Sequence, residues 1–366
     1  MPRENGDKRP GAWARRAVDR LLADRAAERP TPLHAFPLAG PGGTALYLKD
    51  ESRRPTGSLK HGPARDLFID ALRRGRIDRD TPLYEATSGN MAVAQAHFAR
   101  LLDLEYTAVV PERTGPAKRR RIESRGGRVH PVDPPLAVYE RAGELARTHG
   151  GHYLDHLQQV GRAIDFASPS SLGAEILGDL ERLGEPDPAW IVLGAGTGAT
   201  SAAVGRALRR RGSGTRLAVV DPENSAYFPG WASGVRDYTT GMPSRIEGIG
   251  RPRMEPAFDP DLVDLVIPVP DAASVAAMRH LHAVTGVLAG PSSGSCLWGA
   301  CQVLDRMRRD GAGGPVVLIV GDGGEAYHDT YYDDSWSTGR GLDLAGPLRV
   351  LRRFTETGDW TPGGPS

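Results

Sequence analysis

Lysine is nearly missing from this 366-residue chain: Lys8, Lys49, Lys60 and Lys118 stand against 42 arginines. Arginine has taken almost every position that needs only positive charge. A retained lysine is therefore a candidate for chemistry closed to a guanidinium, namely losing its proton and attacking a carbonyl. Cysteine is scarcer still. Cys296 and Cys301 lie close together in a segment that reads as helix, a geometry that disfavours a disulfide and points to a reducing, cytoplasmic compartment. Net charge is also lacking: at +1 there is no global attraction toward nucleic acid or an anionic membrane. No stretch approaches the roughly 20 apolar residues of a membrane span. The N-terminus has no apolar signal segment, and its acidic residues argue against a transit peptide.

What is present is an ordinary soluble composition, 39% hydrophobic and 25% charged, on a chain long enough to form two lobes. The 46 glycines and 30 prolines are many, yet below the level that signals disorder. Trp13, Val18, Leu21, Leu22 and Ala26 mark an amphipathic helix over 12–28, an arm able to pack on its own body or a partner subunit. Strand-like 44–49 leads through the Pro55-Thr-Gly turn into a helix over about 58–74. Strands near 83–86, 106–110 and 128–132 then alternate with helices over 90–102, 116–125 and 135–149. Further strands fall at 191–193, 217–220, 265–269 and 315–320, with helices over 271–285 and 295–309. Alternation with short connections predicts α/β architecture with parallel sheets. The run 224–258 reads as a long ordered loop over a site, and the tail after about 345 as surface-wrapped with frayed last residues.

Four motifs carry chemistry. Lys60, in Pro55-Thr-Gly-Ser-Leu-Lys-His61, lacks the neighbouring charges of a solvated surface lysine, as a group that must be neutral to attack requires. Thr87-Ser88-Gly89-Asn90 follows a short strand and opens a helix, offering N–H groups and hydroxyls to an anion, although such residues are also ordinary caps. Gly194-Ala-Gly196-Thr197-Gly198-Ala-Thr200 repeats the arrangement, and the absence of Gly-Lys-Ser/Thr excludes a Walker-type nucleotide loop. Gly290-Pro-Ser292-Ser-Gly294 lies between an apolar strand and a helix. An aldehyde-binding lysine with a separate phosphate cradle and a second anion loop suggests pyridoxal phosphate (PLP). His152 and His156 fall four apart around Asp155, but the segment follows Gly150-Gly151 and reads as a strand-to-loop passage, so no metal is assigned. Arg119-Arg120-Arg121 reads as a solvated helix face.

In this order, over about residues 30–330, the motifs resemble the PLP-dependent cysteine synthase/cystathionine β-synthase family of fold type II. The segments 55–61, 219–229 and 244–256 look most like its bacterial L-cysteine desulfhydrase branch. The resemblance implies two lobes, each with a central, mostly parallel sheet flanked by helices, and a cofactor in the cleft between them. Residues 54–165 would form the smaller lobe, with 1–53 and 166–366 the larger. It implies that Lys60 is the catalytic Schiff-base lysine and that Asn90 holds the cofactor's ring oxygen. Thr87, Ser88, Gly89 and Asn90, with Gly248, would hold the substrate. Gly194, Gly196, Thr197, Gly198 and Thr200 would bind the phosphate, and Ser292 would face the pyridine nitrogen. His61-Gly62 stands where many relatives have Asp-Arg, Met91-Ala92 where they have Thr-Gly, and Ala199 replaces a glycine.

The implied function is β-elimination or β-replacement on L-cysteine or an O-activated L-serine through an aminoacrylate, with a small amino acid as substrate and a homodimer as the assembly. A β-replacing synthase making a non-standard amino acid is the near rival. Two remoter readings rest on single motifs. Gly194-x-Gly196-x-x-Ala199 with Asp221 fits a relaxed NAD fingerprint. Gly290-x-Ser292-x-Gly294, with Asp322 and His328 following, fits a serine hydrolase.

Overall fold

A computed structural model describes residues 10–39 and 44–362; the expected fraying of the last residues lies outside them. The strands are Leu33–Phe36 (β1), Leu46–Asp50 (β2), Leu83–Ala86 (β3), Tyr106–Pro111 (β4), Arg128–Val132 (β5), His152–Tyr153 (β6), Trp190–Gly194 (β7), Arg216–Pro222 (β8), Leu265–Val269 (β9) and Val316–Val320 (β10). The chain divides into two compact units. No helix among the described residues is long and apolar enough to cross a membrane.

One unit comprises residues 1–29 and 59–165. Its sheet is wholly parallel, in the order β5-β4-β3-β6. Tyr84, Ala86 and Val109 meet Val138, Ala142, Leu145 and Ala146 of the helix Val138–Thr148 in one apolar cluster. The helix Ala12–Ala27 packs on the helix His61–Arg73 and is fastened by ion pairs from Arg25 to Asp66 and from Arg65 to Asp24 (3.2 Å) and Glu28. These contacts place the helix Ala12–Ala27 with the lysine-bearing unit, whereas the sequence reading assigns it, as part of 1–53, to the larger lobe. The helix His61–Arg73 also begins three residues later than expected, because Ser58 is held extended in a bridge to Asp322.

The other unit comprises residues 30–58 and 166–366, with strand order β1-β2-β10-β7-β8-β9. Only β1 is antiparallel to its neighbour. Val-Val-Leu-Ile-Val in β10 is buried throughout, the unbroken apolar run expected of a parallel strand covered on both faces. Lys49 on β2 is fully buried, with its Nζ 2.8 Å from the Thr31 carbonyl, 2.7 Å from Asp179 and 3.0 Å from Glu175. Arg54 joins the same network through Glu51 and Glu175.

Several segments differ from the sequence reading. The expected strand-to-loop passage at 152–156 is the strand β6 running into a helix, His156–Ala163, and β1 was not expected. The helix Leu172–Leu183 was missed, although Ser171 caps it and Gly184 ends it in the left-handed region. The tail is not merely surface-wrapped: Ala345–Thr357 is a helix burying Leu351 and Phe354. The run 224–258 contains the helix Tyr227–Ser233 and sinks Ile246, Ile249, Met254 and Phe258 into the core.

Candidate active site

Each sheet has one place where strand order reverses. In the smaller unit the chain runs outward from β3 through β4 to β5, then returns to lay β6 on the other side of β3. In the larger, it runs from β7 through β8 to β9, and β10 returns beside β7. At such a reversal the loops leaving adjacent strands diverge in opposite directions and open a crevice at the strands' carboxyl ends, where open α/β sheets bind ligands. Thr87–Asn90 leaves β3 and Gly194–Thr200 leaves β7. Both suspected anion loops thus stand at the reversal of their own sheet.

In the larger unit the glycine loop, Gly248 and Ser292 come together. A Cβ on Gly196 would lie 2.6 Å from the Gly248 carbonyl oxygen, so only glycine permits that approach. The two segments are laced by Gly250 N–H donating to the Ala195 carbonyl at 2.8 Å. A Cβ on Gly248 would in turn meet Ser292 Oγ at 3.9 Å. Gly198 takes φ +82° and caps the helix Ala199–Arg211, whose first N–H groups and positive dipole end face the loop. Thr197 Oγ1 accepts from Ala199 N–H at 3.3 Å, while Thr200 is half-buried. Ser292 lies in the first turn of the helix Pro291–Arg309, which begins four residues earlier than expected. Ser292 is half-buried, whereas Ser293 is fully buried and accepts from Gly321 N–H. This backbone-lined cradle at a helix N-terminus fits a phosphate ester.

In the smaller unit Lys60 is half-buried at the cap position of the helix His61–Arg73. The next residue is fully buried: His61 Nε2 bonds Glu28 Oε1 at 2.6 Å, and its ring lies 4.7 Å from that of Phe98. Burial alone would raise the Glu28 carboxyl, but hydrogen bonds and charge from His61 and Arg65 outweigh it and hold the group at about 2. This tie from the N-terminal arm to the lysine's neighbour had no signal in the sequence. Thr87, Ser88, Gly89 and Asn90 are all half-buried, above a buried Glu85 that accepts from His156 N–H and Gln95 Nε2 at 3.0 Å each. Asn90 Oδ1 accepts from the Arg121 guanidinium at 2.9 Å. The arginine run is therefore not a uniform solvated face: Arg119 reaches the Thr114 carbonyl at 2.8 Å, Arg121 turns to Asn90, and Arg120 makes neither contact.

The rival motifs find structural uses. Asp221 is buried, accepts from Phe228 N–H at 2.7 Å and is pushed up to about 6 by burial, leaving it poorly placed to take a ribose. Asp322 accepts from Tyr327 hydroxyl at 2.6 Å, and the His328 ring packs on Tyr332 rather than bonding Ser292. His152 sits on β6, lowered to about 4 by burial and by Arg76, and His156 pairs with Glu85 at 3.2 Å. Asp24, Glu28 and His61 converge within 4.8 Å, but Arg65 already supplies the positive charge there.

Residues 25–322 match the family described as pyridoxal-phosphate dependent enzyme. The chain is 46% identical to the L-cysteine desulfhydrase Cds1 of Mycobacterium tuberculosis over 354 residues, 96% of each chain. It is 29% identical to the N-(2-amino-2-carboxyethyl)-L-glutamate synthase of Cupriavidus metallidurans, over 82% of this chain and 86% of that one. Its fold matches the crystal structure of an O-ureido-L-serine synthase with TM-score 0.73 at 22% identity, covering 92% of this chain and 100% of the other. The chain belongs to the pyridoxal-phosphate dependent enzymes, with the two-unit, parallel-sheet architecture of fold type II.

Proposed function

We propose that this enzyme eliminates the β-substituent of L-cysteine, converting L-cysteine and water to sulfide, pyruvate and ammonia. The observation that carries the reading is the 46% identity to an L-cysteine desulfhydrase across 96% of both chains. The meeting of the glycine loop, Gly248 and Ser292 supports it independently.

PLP supplies an electron sink for the bond broken at Cα. Lys60 Nζ would attach the cofactor's aldehyde carbon and, once released, accept the Cα proton. Gly194, Gly196, Thr197, Gly198 and Thr200 would hold the phosphate through N–H groups and hydroxyls, and Asn90 would donate to the ring oxygen. Thr87, Ser88 and Gly89 would hold the substrate carboxylate, with Asn90 at the edge of that grip. Gly248 would flank the substrate. Ser292, a neutral hydroxyl, would face the pyridine nitrogen without the charge that keeps it protonated. A cytoplasmic homodimer belongs to the same proposal; the fully buried thiols of Cys296 and Cys301 suit a reducing compartment.

The test is incubation of PLP-loaded protein with L-cysteine, measuring sulfide and pyruvate. Both should appear in equal amounts, and Lys60→Ala should abolish them. Borohydride reduction should fix the cofactor's mass on the peptide holding Lys60; mass on another peptide, or none, defeats the reading. A second reading, β-replacement, is favoured by the 29% identity to a synthase. A new amino acid, formed from O-acetyl-L-serine and an added amine or thiol faster than pyruvate, would select it. Sedimentation of the purified protein tests the dimer.

A further inference from the structure

We propose that Arg121 is a positioning residue that fixes which end of the Asn90 amide is offered to the cofactor. This rests on the reading above, in which Asn90 faces the ring oxygen of PLP. A carboxamide has two faces of opposite character, an accepting oxygen and a donating NH2. The partner's chemistry tells them apart, because a guanidinium only donates. With the Arg121 guanidinium 2.9 Å from Asn90, the atom facing it must be Oδ1. Nδ2 is then turned to the opposite side of the amide, where it can donate to an oxygen bearing negative charge. Reversed, the amide would set its own oxygen against that charge.

The geometry singles Arg121 out from its neighbours. Arg119, Arg120 and Arg121 lie on the helix Pro116–Glu123, and Arg121 is the one bonded to Asn90. Asn90 is the first residue of the helix Asn90–Leu101, following β3, so its backbone is held by the helix start while the guanidinium bonds its side-chain amide. A charged donor is suited to holding that amide, since hydrogen bonds to charged groups are about twice as strong as neutral ones.

The experiment replaces the character of the partner without touching Asn90. Apoprotein is titrated with PLP, following quenching of intrinsic tryptophan fluorescence and growth of the visible absorption band. Arg121→Lys, also donor-only, should keep affinity within about twofold of wild type. Arg121→Leu should weaken it by about tenfold, the cost of about 1.4 kcal/mol of lost orientation. Arg121→Glu offers an acceptor, draws NH2 toward itself and should weaken affinity further than Leu and shift the visible band. Arg120→Ala should change nothing. In an Asn90→Ala background, the Leu and Glu substitutions should lose their effect. Equal affinities for the Lys, Leu and Glu variants overturn the proposal while leaving the proposed function standing, as does an undiminished Arg121 effect in the Asn90→Ala background. If a variant fails to fold, the order among the remaining two still decides. Wild-type protein that binds no PLP fails the functional reading itself, and the role of Arg121 with it.

Discussion

Glu28→Gln would test the tie between the N-terminal arm and the residue beside Lys60. The Glu28 carboxylate bonds His61 Nε2 at 2.6 Å and pairs with Arg65, and is held at about 2 against an ordinary 4.5. A folded-state pKa below the unfolded one stabilises the fold above the unfolded value, and that contribution disappears as pH falls toward the folded value. A lowering of that size corresponds to roughly 3 kcal/mol at neutral pH. The substituted amide keeps an acceptor oxygen but no charge, so the variant should be about 2–3 kcal/mol less stable at about pH 7. The gap should shrink to roughly half near pH 3 and close toward about pH 2. Urea unfolding of both proteins by circular dichroism across this acid-to-neutral range measures it, with amide exchange of the helix His61–Arg73 reporting where stability is lost. A gap that stays constant from neutral pH down to about pH 3 would refute the argument, because the loss would then owe nothing to the charge on Glu28.

Three further outcomes are expected. Lys49→Ala should cost up to about 3–5 kcal/mol by removing the cation buried between Glu175 and Asp179, which keep only Arg54 and Arg182 as partners; calorimetry of the variant against wild type checks it. Gly196→Ala puts a Cβ 2.6 Å from the Gly248 carbonyl, and the strain should lower PLP affinity by about tenfold or more in equilibrium dialysis. Asp221, raised from 3.8 to about 6 by burial, costs the fold stability as pH rises through that window. Asp221→Asn should therefore gain up to roughly 3 kcal/mol above about pH 6 and nothing below about pH 4; a pH series of melting temperatures with no such rise would contradict it.

Much of the smaller unit's alternation was legible because its elements announce themselves locally: β4, Tyr-Thr-Ala-Val-Val-Pro, is an apolar and β-branched run closed by proline, and the helix Asn90–Leu101 opens directly after Ser-Gly. In the larger unit the helix Asp271–Thr285 likewise falls where hydrophobic spacing put it. Boundaries failed where a distant partner decided them, as at Ser58, held extended by Asp322 from far along the chain. Glu28 carries no signal and Arg121 reads as part of a solvated face for the same reason: in a sequence rich in charge, nothing local distinguishes a charged group that will meet a buried partner from one that will meet water.

Lysine scarcity marked Lys60 and Lys49 alike, and the uncharged neighbours of Lys60 favoured it; only the tertiary structure gave Lys49 its use, by surrounding it with two carboxylates and a carbonyl. Local sequence alone determined the strand–glycine–helix units, because turn chemistry and helix starts depend on adjacent residues. Strand order could not be read that way, since it is a choice among pairings of segments far apart. It is strand order that reverses at β3 and at β7, and so tertiary structure decided which of many loops stand over a crevice.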